Sequence, residues 1–443
     1  MSRQIIVGGC GPAGMMAAIA AARCGAQVTV LEGMEKPGKK LLLTGNGRCN
    51  LTNLDSGLPR KYRTVLDDPV LEKESVTEHI FRQFPVADTL DFFHSLGLLT
   101  TEKNGYVYPV TGQAGSVLEL LLAEMRRLKI KLKFSEKIIQ IKQFLPDAGG
   151  EGKWLVQTGT WNYSCDRLIL CCGSRAAETT GSDGSGYLLA KQAGHTIAPV
   201  LPALTALNTG NRRFLAACAG VRCPAKVSIY SCPDREKKTG IGEKKWTGPA
   251  EKLLAEDSGE LQITENGISG IVVFQVSRYA VLALNRGEKV QAVLDLLPEL
   301  SAEELERYLI QTARRWSGSD VSVLTALSGL LPRKLLAAVL EDLKIRPGSP
   351  AANLTMAQTG QLVQKIKALK LSVSGSRSFS QCQVCTGGVP LSEVYPDTLE
   401  SRKDAGLYFA GELLDVDGPC GGYNLQWAWS SGFAAGHAAA LSS

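Results

Sequence analysis

Histidine is scarce in this chain, with four in 443 residues. His79, His94, His195 and His437 share no ligand spacing with one another or with a second cysteine pair, so no metal site is expected. Long apolar runs are lacking too. The most apolar stretch, Ile5 to Ala22, is interrupted by Pro12 and by Gly8, Gly9, Gly11 and Gly14, and only Arg3 precedes it. No small-residue cleavage pattern follows, so it reads neither as a membrane span nor as a secretory leader. No internal repeat, Ser/His/Asp arrangement or paired carboxylates stand out. Charge is nearly balanced: 49 Lys and Arg against 43 Asp and Glu give a formal net +6. Charge alone therefore indicates neither nucleic acid nor a membrane surface as partner. One basic run, Arg235, Lys237, Lys238, Lys244 and Lys245, is interleaved with Asp234, Glu236 and Glu243 and reads as a solvated loop.

Cysteine, by contrast, is plentiful, with twelve scattered along the chain. In a chain of this length they read as free thiols in a reducing compartment, so a cytoplasmic location is expected. The composition, 44% hydrophobic and 21% charged, is that of a globular chain with room for two or three domains.

What is present begins at the N-terminus. Gln4 to Val7 predicts a short buried parallel strand. Gly9-Cys10-Gly11-Pro12-Ala13-Gly14 then fits G-x-G-x-x-G, and an Ala-rich stretch, Met15 to Arg23, predicts a helix ended by Gly25. Val28 to Leu31 predicts a second strand, closed by Glu32. Gly9 permits the tight turn, Gly11 lets backbone approach a pyrophosphate, and Gly14 lets the helix pack close to the strand. Unpaired N–H groups at the helix N-terminus attract phosphate. Glu32, 18 residues after Gly14, offers a carboxylate to the adenosine ribose and disfavours a 2′-phosphate. On these residues FAD and NAD both remain open.

Two further segments are distinctive. One runs Gly38-Lys39-Lys40 through Gly45-Asn46-Gly47-Arg48-Cys49-Asn50 to Asn53. The other runs Gly406 through Gly411-Glu412, then Gly418, Cys420-Gly421-Gly422-Tyr423-Asn424-Leu425-Gln426, to Trp429. With the N-terminal unit they resemble a bacterial flavoprotein family described variously as aminoacetone-oxidase-like and dehydro-bile-acid-reductase-like. That family is a branch of the class sharing a two-part FAD fold with glutathione and fumarate reductases. The resemblance runs nearly end to end. It implies an α/β fold with a Rossmann-like, two-part FAD-binding domain and an inserted β-rich plus helical domain.

It also implies FAD at the first glycines, held by Gly9, Gly11, Pro12, Ala13, Gly14 and Glu32. Lys40 and the Gly45 to Asn50 loop would face the cofactor, and Ile138 would present backbone to the adenine. Gly173, Gly411 and Glu412 would lie along its length. A helix starting near Asn424, Leu425 and Gln426 would point its N-terminus at the flavin N1/O2 edge, where reduced flavin carries negative charge. Arg48 either supplies a cation to the ring or to a substrate anion, or satisfies loop carbonyls. Tyr423 is the other candidate for substrate contact, as a phenol able to donate a proton. Asn46, Asn50 and Asn53 read as loop braces. Departures from the family pattern fall at Cys171-Cys172 and Ser174, where Ala-Thr-Gly-Gly is usual, at Asp183, and at Tyr106 and Tyr108, where Arg and Phe are usual. They put an inherited substrate preference in doubt.

The expected organisation is a split FAD domain, residues 1–195 and 355–443, around an insert over 196–354. The insert has a β-rich lobe over 196–297 and a helical lobe over 298–354. Its strands are expected at Lys226–Tyr230, Glu260–Thr264, Ile271–Phe274 and Val290–Leu294, and its helices at Ala302–Arg314, Val321–Leu327 and Lys334–Glu341. Cys382-Gln383-Val384-Cys385 and Cys171-Cys172 raise the question of a redox disulfide, but small-residue packing in buried strands is the simpler reading. No second G-x-G-x-x-G follows a strand, so NAD(P)H either binds without that fingerprint or is not the reductant. The expected function is an FAD oxidoreductase moving hydride between flavin N5 and a small organic substrate. It is either an NAD(P)H-dependent reductase of an activated double bond or an amine oxidase using oxygen. An FAD-containing RNA-modifying protein is the alternative class, motivated by the basic run and by Leu330 to Lys334, and a flavin-binding structural protein is a third.

Overall fold

The computed structural model describes residues 2–65, 70–144, 153–232 and 251–441, so the basic run over 235–245 lies outside the described residues. Among the first elements in chain order are β1 (Gln4–Gly8), α1 (Pro12–Arg23), β2 (Gln27–Leu31), β3 (Thr52–Asn53), β4 (Thr100–Lys103) and β5 (Tyr106–Pro109). There follow α2 (Ala114–Arg127), β6 (Lys131–Lys133), β7 (Ile138–Phe144), β8 (Lys153–Thr158), β9 (Asn162–Cys165), β10 (Arg167–Leu170) and α3 (Ser185–Gln192). Next come β11 (Leu207–Thr209), β12 (Arg222–Cys232), β13 (Lys252–Thr264), β14 (Gly267–Ser269), α4 (Ile271–Asn285) and β15 (Lys289–Asp295). The last are α5 (Ala302–Arg315), α6 (Arg333–Asp342), α7 (Met356–Lys367), β16 (Leu369–Ser376), β17 (Leu407–Phe409) and α8 (Tyr423–Leu441).

The chain divides into two compact units, Met1–Leu201 with Phe379–Ser443, and Pro202–Ser378. The first is built on a parallel sheet of order β17-β10-β1-β2-β6. Ile5, Ile6 and Val7 are buried on both faces of β1, which is why that strand reads as a continuous apolar run. The chain leaves β1 through α1 towards β2 on one side, while β10 pairs on the other. The strand order therefore reverses between β1 and β10, and the carboxyl ends of these strands are where sheets of this kind bind ligands. Two small antiparallel sheets, β3-β5-β4 and β7-β8-β9, belong to the same unit.

α1 is buried on nearly all sides, because its Ala-rich surface lets another backbone come close. That backbone is α8. A Cβ on Gly432 would lie 2.4 Å from the Ala13 carbonyl oxygen, and one on Gly436 would lie 2.2 Å from that of Ala17. Two turns of α8 thus touch two turns of α1 without an intervening side chain.

The second unit is a closed antiparallel barrel of order β11-β14-β13-β12-β15-β16. α4 packs against it through Val272, Val273, Val276 and Ala280. Two expectations are corrected here. Ile271–Phe274 is not a strand but the first turn of the 15-residue α4. Four apolar residues carry no period, and the buried positions 272, 276, 280 and 283 show the helical spacing only over the longer run. The second part of the expected split domain begins near 379 rather than 355, and its first part ends near 201 rather than 195. The reason is β16, which pairs with β15 and β11 to close the barrel and takes α7 with it into the second unit. The helix expected at Val321–Leu327 is shorter, Val323–Ala326, started by a cap from Ser322. Among the described residues no helix is long and apolar enough to cross a membrane.

Candidate cofactor and active site

The glycine loop sits at the carboxyl end of β1, with a separate reason for each glycine. Gly9 has φ +101° and a Cβ there would stand 2.5 Å from the Cys171 carbonyl oxygen, at the end of β10. A Cβ on Gly14 would stand 1.9 Å from the Gly9 carbonyl oxygen. Gly11 differs: nothing lies within 4 Å of a Cβ placed there. Protein contacts do not explain a glycine at 11, but an elongated phosphate ligand lying against the backbone does. No side chain caps α1, Pro12 occupies its first turn and no acid stands there, which leaves its positive end open to an anion. Glu32 braces the same loop. Its Oε2 accepts from the Cys10 N–H at 2.7 Å and its Oε1 from the Met34 N–H at 2.8 Å, leaving further lone pairs for hydroxyl donors. These features fit a dinucleotide such as FAD.

Three segments meet at Glu412. Its Oε2 accepts from Lys40 Nζ at 2.5 Å and from Ser174 Oγ at 2.6 Å. Ser174 is fully buried, and its oxygen also accepts from the Ala176 N–H. Next to Glu412, Gly411 has φ +71°, and a Cβ there would lie 2.8 Å from that of Ala13 in the first turn of α1. The N-terminal loop and the C-terminal segment, read separately in the sequence, are thus adjacent. Ser174 stands out in the sequence only as a departure from the family pattern.

The Gly45 to Asn50 loop is a run of left-handed backbone. Gly45, Asn46, Gly47 and Cys49 all have positive φ, the two non-glycines at +56° and +57°. Such concentrations of unfavourable backbone occur at functional sites. Asn50 directs its amide nitrogen to the carbonyls of Val107 and Thr52, and Asn53 accepts from the Asp55 N–H, so both act as braces. Asn46 and Arg48 are exposed, and among the described residues the Arg48 guanidinium makes no hydrogen bond or ion pair. Its charge is felt by Tyr108. The reading of Arg48 as a residue satisfying loop carbonyls therefore has no support.

The Gly418 to Gln426 segment lies against the same region. A Cβ on Gly422 would stand 2.5 Å from the Thr52 carbonyl carbon. Asn424 holds the turn by accepting from the Gly418 N–H and donating to the Gly418 carbonyl, both at 2.9 Å. Gln426 is fully buried. Its Oε1 accepts from Thr52 at 2.6 Å, its amide nitrogen donates to Thr89 and Ser430, and its N–H is taken by the Gly422 carbonyl. The Gln426 side chain is therefore committed to the protein rather than to a ligand. Tyr423 is largely buried, and burial with Asp55 and Tyr106 nearby pushes its phenol pKa up.

The cysteines of these segments are free. Burial pushes the Cys49 and Cys172 thiols up to about 12. Cys382 and Cys385 are both buried and share a hydrogen bond, which holds the Cys382 proton in place. Elsewhere in the unit, Ile138 packs its Cδ1 2.7 Å from a Cβ position on Gly8, and Gly173 has φ +73°. Asp183 pairs with Lys137 at 2.5 Å and accepts from the Ser185 N–H at the start of α3. A cavity of about 550 Å³ opens there, lined among others by Lys137, Arg175, Asp183, Tyr187 and Lys191. Among the described residues no cluster has the makings of a metal site.

Comparison with known proteins gives consistent matches. The family described as HI0933-like protein Rossmann domain matches residues 3–438. The chain is 43% identical to a 3-dehydro-bile acid delta(4,6)-reductase of Clostridium scindens, over 99% of each chain. It is 29% identical to a ribosomal RNA dihydrouridine synthase of Haemophilus influenzae, over 98% of this chain and 97% of that one. It is 27% identical to the Escherichia coli protein of the same name, over 97% and 96% respectively.

Proposed function

The chain belongs to the HI0933-like Rossmann-domain family and is a flavin-dependent oxidoreductase, and on that premise we propose that it adds hydrogen across a carbon–carbon double bond conjugated to a ring carbonyl, using FAD and NAD(P)H. The observation that carries this reading is the 43% identity, end to end, with a bile acid delta(4,6)-reductase. The names of the other relatives point to the same reaction class. Dihydrouridine is uridine saturated at the ring double bond next to a carbonyl, so both activities deliver hydrogen to an activated ring alkene.

Bound FAD supplies two-electron transfer at its N5 position. The chain's own residues hold and polarise. Gly11 and the open end of α1 would receive the pyrophosphate, and Glu32 the adenosine ribose, with Ile138 near the adenine. The Lys40, Ser174 and Glu412 cluster, with Gly173 and Gly411, would flank the middle of the cofactor. The Gly45 to Asn50 loop and the start of α8 would face the ring, where the helix terminus favours negative charge. Arg48 is exposed and uncommitted, so it is available to the substrate.

Anaerobic stopped-flow mixing tests the reading. NADH or NADPH should bleach the flavin absorbance, and a 3-oxo-4,6-diene bile acid should restore it. No bleaching by either nucleotide removes the nicotinamide-dependent reductase, and bleaching by aminoacetone instead would favour the amine oxidase. A second reading, with uridine in RNA as substrate, is favoured by the full-length matches to the two synthases. Salt-dependent RNA binding together with dihydrouridine formation would establish it.

A further inference from the structure

Tyr106 and Tyr108 stand two residues apart on β5 and so project from the same face of that strand. Val107 and Pro109, which alternate with them, are buried, while the two tyrosines are half-exposed. Each ring touches one of the two glycine-rich segments. A Cβ on Gly421 would lie 2.3 Å from Tyr106 Cε1, and one on Gly45 would lie 3.6 Å from Tyr108 Cε1. Gly421, with φ +110°, brings its backbone against the Tyr106 ring with no side chain between them. β5 therefore bridges the two segments with two phenols, and the exposed, uncommitted Arg48 stands within electrostatic reach of the second. Burial and Tyr106 raise the Tyr108 pKa and Arg48 opposes them, with a net rise, so the phenol keeps its proton and can donate it.

This arrangement matches the chemistry proposed above. When hydride adds to the far carbon of a conjugated enone, the alkene electron pair moves towards the carbonyl oxygen, where negative charge develops. A hydrogen-bond donor with a cation beside it is suited to that oxygen. Resting on that functional reading, we propose that Tyr108, assisted by Arg48, is the donor to the ring carbonyl of the substrate, and that Tyr106 is the platform on which the flat ring lies. The electron pair comes from NAD(P)H through the flavin and ends in the new C–H bond. The second hydrogen is a proton drawn from solvent, and the nicotinamide leaves oxidised.

The test uses the FAD-loaded protein and a steroid with a phenolic A ring, which mimics the charged oxygen on a flat ring. Tyr108→Phe should weaken binding of this probe at least tenfold while leaving flavin content unchanged. It should also lower kcat for enone reduction on the order of 10²-fold, the usual effect of losing one such donor. Tyr106→Phe should bind the probe normally and Tyr106→Ala should not. Arg48→Gln should lower the fraction of probe bound as phenolate, read from its ultraviolet spectrum, and Arg48→Lys should restore it. The proposal is overturned if Tyr108→Phe binds the probe like wild type, or if it loses FAD, since the residue would then belong to the cofactor site. Wild-type reduction of the diene with an indifferent Tyr108→Phe would sink this assignment alone. A wild-type protein that neither binds the probe nor reduces the diene would sink the functional reading as well.

Discussion

Ser174 and Glu412, 238 residues apart in sequence, are joined by a hydrogen bond of 2.6 Å from the serine hydroxyl to the carboxylate. The same carboxylate oxygen pairs with Lys40. Ser174→Ala leaves that oxygen with one partner and the Ala176 N–H without its acceptor. A hydrogen bond to a charged group is worth about 1.5–3 kcal/mol. The variant should be less stable by that order and should hold FAD on the order of tenfold more weakly. Flavin absorbance retained after dialysis, with a urea unfolding curve, checks both. Unchanged flavin retention would remove this cluster from the cofactor site.

The glycine loop offers a separable pair. Gly11→Ala meets no protein atom, so the unfolding midpoint of its apoprotein should match that of the wild-type apoprotein while FAD binding is lost. Gly9→Ala adds a methyl 2.5 Å from the Cys171 carbonyl at a φ of +101°, so it should lose stability and cofactor together. Equal behaviour of the two variants would contradict the open space ahead of Gly11.

Packing of α8 on α1 predicts a strong effect far from any polar group. Gly432→Val forces side-chain atoms into the Ala13 carbonyl, which is backbone and has no rotamer to yield. Overpacking of this kind costs about 3 kcal/mol. Because Ala13 lies in the first turn of α1, weaker FAD binding should accompany the loss. Chemical denaturation and flavin titration measure the two effects.

His195 carries an expected dependence on acid. Its ring is buried, with Nδ1 2.7 Å from Glu393 and Nε2 2.7 Å from Ser401. Burial lowers its pKa and Glu393 only partly opposes that, so the folded protein disfavours the imidazolium. The unfolded chain takes up the proton near pH 6.5. This contribution to stability is therefore complete above about pH 6.5 and lost as pH falls through the lower folded pKa. The Glu393 pKa is lowered as well: burial would raise it, but Lys403, Thr196 and His195 outweigh that, so it too loses stability towards acid, at lower pH. Urea midpoints should fall between pH 7.5 and 5.5, and less so in His195→Gln. Parallel curves for the two proteins would rule out this residue.

What the sequence discloses here is what local spacing can encode. Gly9, Gly11, Gly14 and Glu32 fall within one βαβ unit, and their roles follow from backbone geometry over about 30 residues. Ser174 is visible in the sequence only as an exception, because its partner lies 238 residues away. Gln426 sits in the expected turn, yet its side chain is spent on Thr52, Thr89 and Ser430, contacts that no periodicity announces. Tyr106 and Tyr108 show on one strand face, but the glycines they touch come from opposite ends of the chain. β16 is the same case at the level of domains. Its alternating pattern says strand, and only its pairing with β15 and β11 says which unit owns it.

The contact of α1 with α8 also fixes an order of events during synthesis. α1 is made well before Tyr423–Leu441, the helix that covers it. Until residues 423–441 have been made, the Ala-rich surface of α1 lacks its partner. N-terminal segments that emerge early normally fold early. This one must wait, so a nascent chain stalled before residue 423 should carry no flavin.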